Sequence, residues 1–331
     1  MDRIKKIYLE VIRKKKKYFI LYGFLKALSF LYCMAVFMRN FLYQQRWIKP
    51  QRCKAFVVSV GNISWGGSGK TSLVIKLARY FNRSLSIAIL RRGYGYDEES
   101  LLKESLPQKV RIFSGKDRLA LARKAARKSK MVILDDGFQY RRLYRNLDIV
   151  LLNARQDLAA ACLPAGPLRE PLASIKRANI IVVREADSET RGVIINFIKG
   201  INPRACLYFA SYQLKKFVDI KDGSPKSLEE AAVLTAIGWP QGFIALLERA
   251  RIQIKESFIY PDHTLLSQKE WKRIERICKE KGIGNLVITA KDKARVYPSG
   301  LNIVVAEVEL VIEAEKDFFS RIENELFRSY F

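Results

Sequence analysis

Short apolar runs alternate with helix-spaced segments along most of the chain. After Pro50, the runs Ala55–Val60, Leu85–Leu90, Met131–Leu134, Ile149–Leu152 and Asn179–Val183 carry no charge and have the length of buried strands. Between them, Lys70–Phe81 places Leu73, Leu77 and Tyr80/Phe81 at helical spacing, and Asp117–Ser129 is a helical segment rich in Ala, Arg and Lys. A second set follows: strands at Ala232–Ile237, Asn285–Thr289 and Asn302–Val305, helices at Gln241–Ala250 and Gln268–Lys281, and a closing amphipathic helix over Ala314–Ser329. Uncharged strands separated by helices predict an α/β fold, a mostly parallel sheet covered on both faces. Gly200, Pro203, Gly223 and Pro225 cluster where the two sets meet. This predicts a first α/β domain over 51–210 and a smaller second one over 211–331.

The segment before Pro50 has a different pattern. Tyr18 to Met38 is apolar apart from Lys26, and the run Arg13-Lys14-Lys15-Lys16-Lys17 leads into it. Its longest uncharged piece, Ala27–Met38, falls short of the roughly 20 residues a membrane span needs. No small-residue cleavage site follows, which argues against a signal peptide. A basic, aromatic-rich helix of this kind is expected to lie in an anionic leaflet on its cytoplasmic side. A soluble helix covering the core and a full span with Lys26 snorkelling are the alternatives. Residues 1–50 are therefore read as a membrane-associating segment. Removal of residues 1–40 is expected to release the protein from anionic vesicles and leave the phosphate loop intact.

Charge sharpens this reading. The 331 residues contain 60 Lys+Arg against 33 Asp+Glu, a net +27, and residues 1–54 supply +12 of it from 14 basic and 2 acidic residues. An anionic partner is implied: nucleic acid, an acidic membrane or a phosphorylated substrate. Five scattered Cys without a CxxC pair argue against a disulfide framework, and a single histidine excludes a His-rich metal site.

Ala55–Val60 runs into Gly61-Asn62-Ile63-Ser64-Trp65-Gly66-Gly67-Ser68-Gly69-Lys70-Thr71 and then a helix, the context of a phosphate-binding loop. Ser64 stands where the usual pattern has its first glycine. Gly66, Gly67, Ser68 and Gly69 let backbone N–H groups turn toward phosphate oxygens. Lys70 can reach the β- and γ-phosphates of ATP, and the Thr71 hydroxyl can ligate Mg²⁺. The run Met131–Leu134 ends in Asp135-Asp136, acids at the carboxyl edge of a strand where α/β sheets bind ligands and where Mg²⁺ needs a partner.

From Asp135 the sequence reads DDGFQYRRL and then LDIVLL, and here it resembles the tetraacyldisaccharide 4′-kinases. Further segments resemble this family in order: Val60-Gly61-Asn62 before GGSGKT, Arg92-Gly93-Tyr94-Gly95, Gly115-Lys116-Asp117-Arg118, LPAGPLREP over 163–171, Pro261-Asp262-His263 and Thr289-Ala290-Lys291-Asp292. Tyr140 replaces a usual His, Ala290 a Glu, Asn146 an Asp, and the segment between RGYG and GKDR is short, with Asp97-Glu98-Glu99 as its only counterpart of an Asp-Glu-Pro motif.

The resemblance implies a P-loop kinase that moves the ATP γ-phosphoryl to the 4′-hydroxyl of a lipid A precursor on the cytoplasmic face of the inner membrane. It implies Asp97 as general base, oriented by His263. It places Arg118, Gln139, Arg169 and Glu170 at the nucleotide, and Glu98 with Thr71, Asp135 and Asp136 at Mg²⁺. The expected partners are the anionic glycolipid and the anionic membrane surface, with no specific nucleic acid and no obligate protein partner. A non-catalytic membrane-bound nucleotide-binding protein is the alternative, motivated by the short segment and Tyr140. A nucleic-acid-dependent ATPase would rest on net charge alone.

Overall fold

The computed structural model describes residues 19–65, 69–93, 96–155, 157, 160–262, 264–297 and 300–330, with Phe19, Tyr96, Asp97, Glu98 and Tyr330 described by backbone alone. Gly66, Gly67, Ser68 and His263 lie outside the described residues.

A 26-residue helix, α1 (Phe19–Gln44), comes first. The first α/β set is β1 (Phe56–Gly61), α2 (Lys70–Phe81), β2 (Ile87–Arg91), α3 (Tyr96–Ser105), β3 (Arg111–Ser114), α4 (Arg118–Ala125), β4 (Met131–Asp135), β5 (Leu147–Asn153), β6 (Ile180–Arg184) and α5 (Ser188–Ile201). There follow β7 (Cys206–Asp219), β8 (Pro225–Lys226), β9 (Glu230–Thr235), α6 (Pro240–Arg249), β10 (Gln253–Ile259), α7 (Gln268–Glu280), β11 (Asn285–Thr289), β12 (Asn302–Ile312) and α8 (Glu315–Tyr330).

All twelve strands join one sheet, ordered β10-β9-β11-β12-β7-β6-β5-β1-β4-β2-β3, with β8 paired to β7. Pairing is parallel except where β7 meets β12 and β8. Helices cover both faces, as the alternating pattern predicts. In the first lobe, α2 and α8 pack Leu73, Leu77, Phe318 and Ile322 against one face, and α4 packs Leu119 and Ala122 against the other. In the second lobe, α7 contributes Trp271, Ile274 and Cys278 to one layer, and α6 contributes Phe243 and Leu247 to the opposite layer.

The expected division at 210/211 falls inside β7. Cys206–Ala210 pairs with β6, whereas Ala210–Asp219 runs antiparallel to β12. The clustered Gly and Pro residues flank this strand instead of marking a linker, and β12 extends seven residues past Val305, where its apolar run breaks at Glu307 and Glu309.

Parallel pairing of β1 with β4 brings Val60 level with Asp135, so the phosphate loop and the acidic pair leave adjacent strands at the same edge. α2 begins immediately after Gly69, which adopts φ 80° and supplies no side-chain cap. The positive end of the α2 dipole thus points to the loop, where an anion is favoured.

Candidate active site

Gly61 lets β1 pass close to the turn after β4, since a Cβ there would collide with Phe138. Asn62, fully buried, follows. Its side-chain oxygen accepts a hydrogen bond from Lys70 Nζ at 3.2 Å and a second from Arg169. Asn62, at the start of the loop, therefore holds the cation that the loop presents to phosphate. Gln139 Nε2 donates to the Asn62 carbonyl at 2.9 Å, while its buried Oε1 has no partner among the described residues.

Asp136 stands opposite. Arg169 forks onto it, Nη1 to Oδ2 at 2.8 Å and Nη2 to Oδ1 at 2.7 Å, and Lys70 Nζ lies 3.5 Å away. Burial alone would raise this carboxyl. The Arg169 fork, with Lys70 and Arg118 behind it, holds it well below the usual carboxylate range. Asp136 also carries φ 52°, a left-handed conformation uncommon for a residue with a side chain, and this sets its carboxylate against the loop. Asp135, buried at the strand end, completes the acidic pair.

Arg118 is placed differently from expectation. Its Nη1 donates to the carbonyls of Asp135 at 3.2 Å and Asp136 at 2.9 Å, and the guanidinium lies over the Tyr140 ring at 4.3 Å. It is buried and braces the acidic turn. Tyr140 supports the same arrangement, its hydroxyl accepting from Leu119 N at 3.1 Å. Glu170 departs further from expectation. Both its oxygens are taken by Arg39, Asn40 and Arg177, at 2.7, 3.1 and 3.0 Å, and its side chain is 0% exposed. Its neighbour Arg169 faces the phosphate site; Glu170 faces α1.

The segment 163–171 is seated against the first arm of the phosphate loop: Arg169 N donates to Ile63 O and Trp65 N to Pro167 O, both at 2.7 Å. Thr71 is half-buried in the first turn of α2. The backbone of Asp97 and Glu98 lies in the first turn of α3, which packs against α2 and the 3₁₀ turn Ala290–Arg295 of the second lobe. Lys291 in that turn pairs with Asp262 at 3.0 Å, tying down the residue before His263.

The described arrangement is a phosphate loop whose lysine faces an acidic strand end, the constellation used by nucleotide-dependent phosphotransferases. The family model for tetraacyldisaccharide-1-P 4′-kinase, LpxK, matches residues 21–326. The chain belongs to this family. Curated tetraacyldisaccharide 4′-kinases align along its length: that of Elusimicrobium minutum is 31% identical over 89% of this chain and 89% of its own. That of Syntrophobacter fumaroxidans is 32% identical over 81% and 78%. The crystal structure of LpxK from Aquifex aeolicus in complex with ATP superposes with a TM-score of 0.69 at 27% identity, covering 92% of this chain and 99% of that one.

Two residues of this LpxK-family site escaped the sequence reading. Asn62 was visible within VGN, but its polar side chain gave no sign that it would hold Lys70. Arg184, at the end of β6, gave no signal at all. It is 1% exposed, its guanidinium lies over Tyr212 at 4.9 Å, and no carboxylate pairs with it among the described residues. A Cβ on Gly69 would strike both Arg184 and the Tyr212 hydroxyl, so this buried cation sits against the phosphate loop.

Proposed function

We propose that this chain transfers the γ-phosphoryl group of ATP to the 4′-hydroxyl of a tetraacyldisaccharide 1-phosphate, the lipid A precursor. The observation that carries the reading is Lys70, at the start of α2, facing Asp136 at the end of β4, in a chain of the LpxK family. A phosphate-loop protein without transfer activity is not favoured.

In this reading ATP phosphates lie on the N-terminus of α2, with Lys70 on the β- and γ-phosphates. Arg169 and the buried Arg184 add positive charge from two sides. The substrate 4′-oxygen attacks the γ-phosphorus, the bond to the ADP oxygen breaks, and the hydroxyl proton passes to Asp97, oriented by His263. The second lobe, taken as 211–331, closes over the site from the side of α3. Thr71, Asp135 and Asp136 offer one hydroxyl and two carboxylates, a donor set that suits Mg²⁺, which keeps waters and phosphate oxygens as its remaining ligands. Glu98 would join them. When bound, Mg²⁺ neutralises charge on the β- and γ-phosphates. Asp136 is engaged by Arg169 and Lys70, so binding there requires that pairing to loosen.

The chain acts at the cytoplasmic membrane face through α1. This helix is long and apolar enough to cross a bilayer by length and composition. Its docking argues against crossing. Contacts to the first lobe run from Ser29 to Tyr43, roughly 21 Å of helix. Among the described residues the part left free, Phe19–Leu28, is about 15 Å long, half of a ~30 Å hydrocarbon core. α1 therefore lies along the protein with its apolar face in the leaflet.

The test is transfer of labelled γ-phosphate from ATP·Mg²⁺ to the tetraacyldisaccharide 1-phosphate in detergent. Wild type should transfer. Lys70→Ala and Asp97→Ala should fall by several orders of magnitude with folding retained. ATP binding by the wild type with no transfer would defeat the kinase reading, and full activity of Asp97→Ala would move the base elsewhere.

A further inference from the structure

Helix α1 does more than hold the enzyme at a surface. One stripe of it is polar and faces the protein. Tyr32 donates its hydroxyl to the Arg169 carbonyl at 2.7 Å. Arg39 and Asn40 bind the two oxygens of Glu170. Asn40 also receives Arg141 Nη1, on its carbonyl and on its side-chain oxygen, both at 3.2 Å, and the Arg141 guanidinium lies over the Tyr43 ring at 4.7 Å. These contacts end on two segments only. Arg169-Glu170 belongs to the loop seated against the phosphate loop, and Arg141 belongs to the turn that begins with Asp136. Both segments place side chains at the phosphate site, and α1 is tied to each.

Glu170 is central to this arrangement. Burial disfavours its charge, yet Arg177, Arg39 and the Asn40 amide hold its carboxyl below the usual range, so it remains an ionised anchor inside the protein. One residue away, Arg169 makes the two-pronged contact to Asp136 and a further bond to Asn62. A shift of Glu170 along the chain must move Arg169.

We propose that α1 is a positioning element of the phosphate site: through Tyr32, Arg39 and Asn40 it fixes Arg169-Glu170, so that Arg169 meets the phosphates in register, with Glu170 as the positioning residue between them. The membrane helix and the transfer site then act as one unit. This rests on the kinase reading above. It also revises the expectation that removing residues 1–40 leaves the phosphate loop undisturbed.

The experiment separates the two faces of α1 in the full-length protein. Arg39→Ala/Asn40→Ala alters only the protein-facing stripe, and Phe24→Ser only the outward face. Three quantities are read: kcat and KM for lipid substrate in detergent micelles, affinity for a non-hydrolysable ATP analogue, and flotation with vesicles containing anionic lipid. The double variant should lose about tenfold to a hundredfold in kcat, the scale of a small misplacement of a positioned group. Its ATP-analogue affinity should fall severalfold, with lipid KM and flotation near wild type. Phe24→Ser should show the reverse, weaker flotation with kcat in micelles unchanged.

The route is tested by epistasis. In an Arg169→Ala background, Arg39→Ala/Asn40→Ala should cost little more analogue affinity, because the path to the site is already cut. Wild-type kcat and analogue affinity in the double variant would overturn the proposal, and so would full additivity with Arg169→Ala. If the wild type binds the analogue but transfers nothing, the kinase reading falls, and the analogue affinities alone decide whether α1 positions Arg169.

Discussion

The first and last helices of the chain both brace the phosphate site, and they do so with opposite chemistry. α8 turns Phe318, Phe319 and Ile322 inward. Phe319 stacks on Tyr80 of α2 with ring centroids 3.7 Å apart, and Phe318 meets Tyr208 edge-on at 5.2 Å. Its polar contacts lie at the margin of this packing: Asp317 accepts from the Tyr208 hydroxyl at 2.6 Å, Glu323 from the Tyr80 hydroxyl at 3.0 Å, and Glu315 pairs with Lys76 at 2.8 Å. α1 is the inverse. Ser29, Tyr32, Arg39 and Asn40 face the protein through hydrogen bonds, while Phe24 and Phe30, 61% and 66% exposed, face away. α8 supports the phosphate-loop helix from behind by excluding water. α1 supports the front of the site by directed bonds, since its apolar side is committed elsewhere. An exposed apolar face this continuous signals an apolar surrounding, and the polar inner stripe follows from it.

The contrast breaks most decisively at the aromatic residues. Phe318→Ala should destabilise the fold by about 3–5 kcal/mol, the cost of emptying a fully buried aromatic site. Phe30→Ala on α1 should change stability by no more than about 0.5 kcal/mol, as for an exposed position. Urea midpoints of the two variants in detergent measure this directly. Comparable losses would mean that α1 is an ordinary core helix and that its outward face packs on protein.

A second effect concerns membranes. Replacing Phe24 and Phe30 together by Ser should weaken partition onto anionic vesicles by about 3 kcal/mol or more, at roughly 1.5–3 kcal/mol per buried aromatic side chain. Raising salt should weaken it further through the Lys14–Lys17 run, at about 1 kcal/mol per basic residue near the surface. A Ser substitution of the exposed Phe327 on α8 should leave partition unchanged. Vesicle flotation across a salt series distinguishes these cases. Flotation that ignores both the aromatics and salt would remove α1 from the leaflet.

How far the sequence foretold this design follows from which contacts are local. The phosphate loop, the acidic strand end and most strands were legible, because strand, loop and helix are consecutive and strands buried on both faces read as uncharged runs. α2 starts and stops where the pattern placed it. β7 was missed because Lys215 and Lys216 interrupt it and glycine and proline flank it, although its antiparallel partner β12 makes it a long strand. β10, an edge strand with alternating exposure, showed only as a strand-like run before Pro261-Asp262-His263 and was given no bounds. α5 was missed because Gly192 and Gly200 dilute its pattern, though Asp187 caps it by accepting from Thr190 N at 2.8 Å. The role of Glu170 was illegible for a different reason. Its partners Arg39 and Asn40 are more than a hundred residues away in sequence, and a glutamate beside a site arginine reads as another site residue. The same distance hid the inner stripe of α1, whose apolar majority alone determined how it was read.

The finest distinction between the two helices is their response to acid. α8 carries three carboxylates bonded to the first lobe, Glu315, Asp317 and Glu323, but its buried contact is made by Phe318, Phe319 and Ile322, which acid does not titrate, so it should outlast α1. The α1 latch depends on an ionised Glu170 facing Arg177, Arg39 and Asn40, with Arg141 nearby. Its folded carboxyl titrates below the usual glutamate value, so the stabilisation is complete above the unfolded value of about 4.5 and is lost as pH falls through the folded one. Between pH 5 and 8 neither helix should loosen. Below about pH 4, hydrogen exchange corrected for intrinsic rate should show the amides of α1 from Ser29 to Asn40 losing protection before those of α8. Glu170→Gln should abolish that acid step while lowering α1 protection at neutral pH, because an uncharged amide cannot replace the bond to two arginines. Loss of α1 protection between pH 6 and 7 would assign the latch to a group other than Glu170. Simultaneous loss in both helices would show that acid unfolds the lobe as a whole, and that the two terminal helices differ in chemistry without differing in cooperativity.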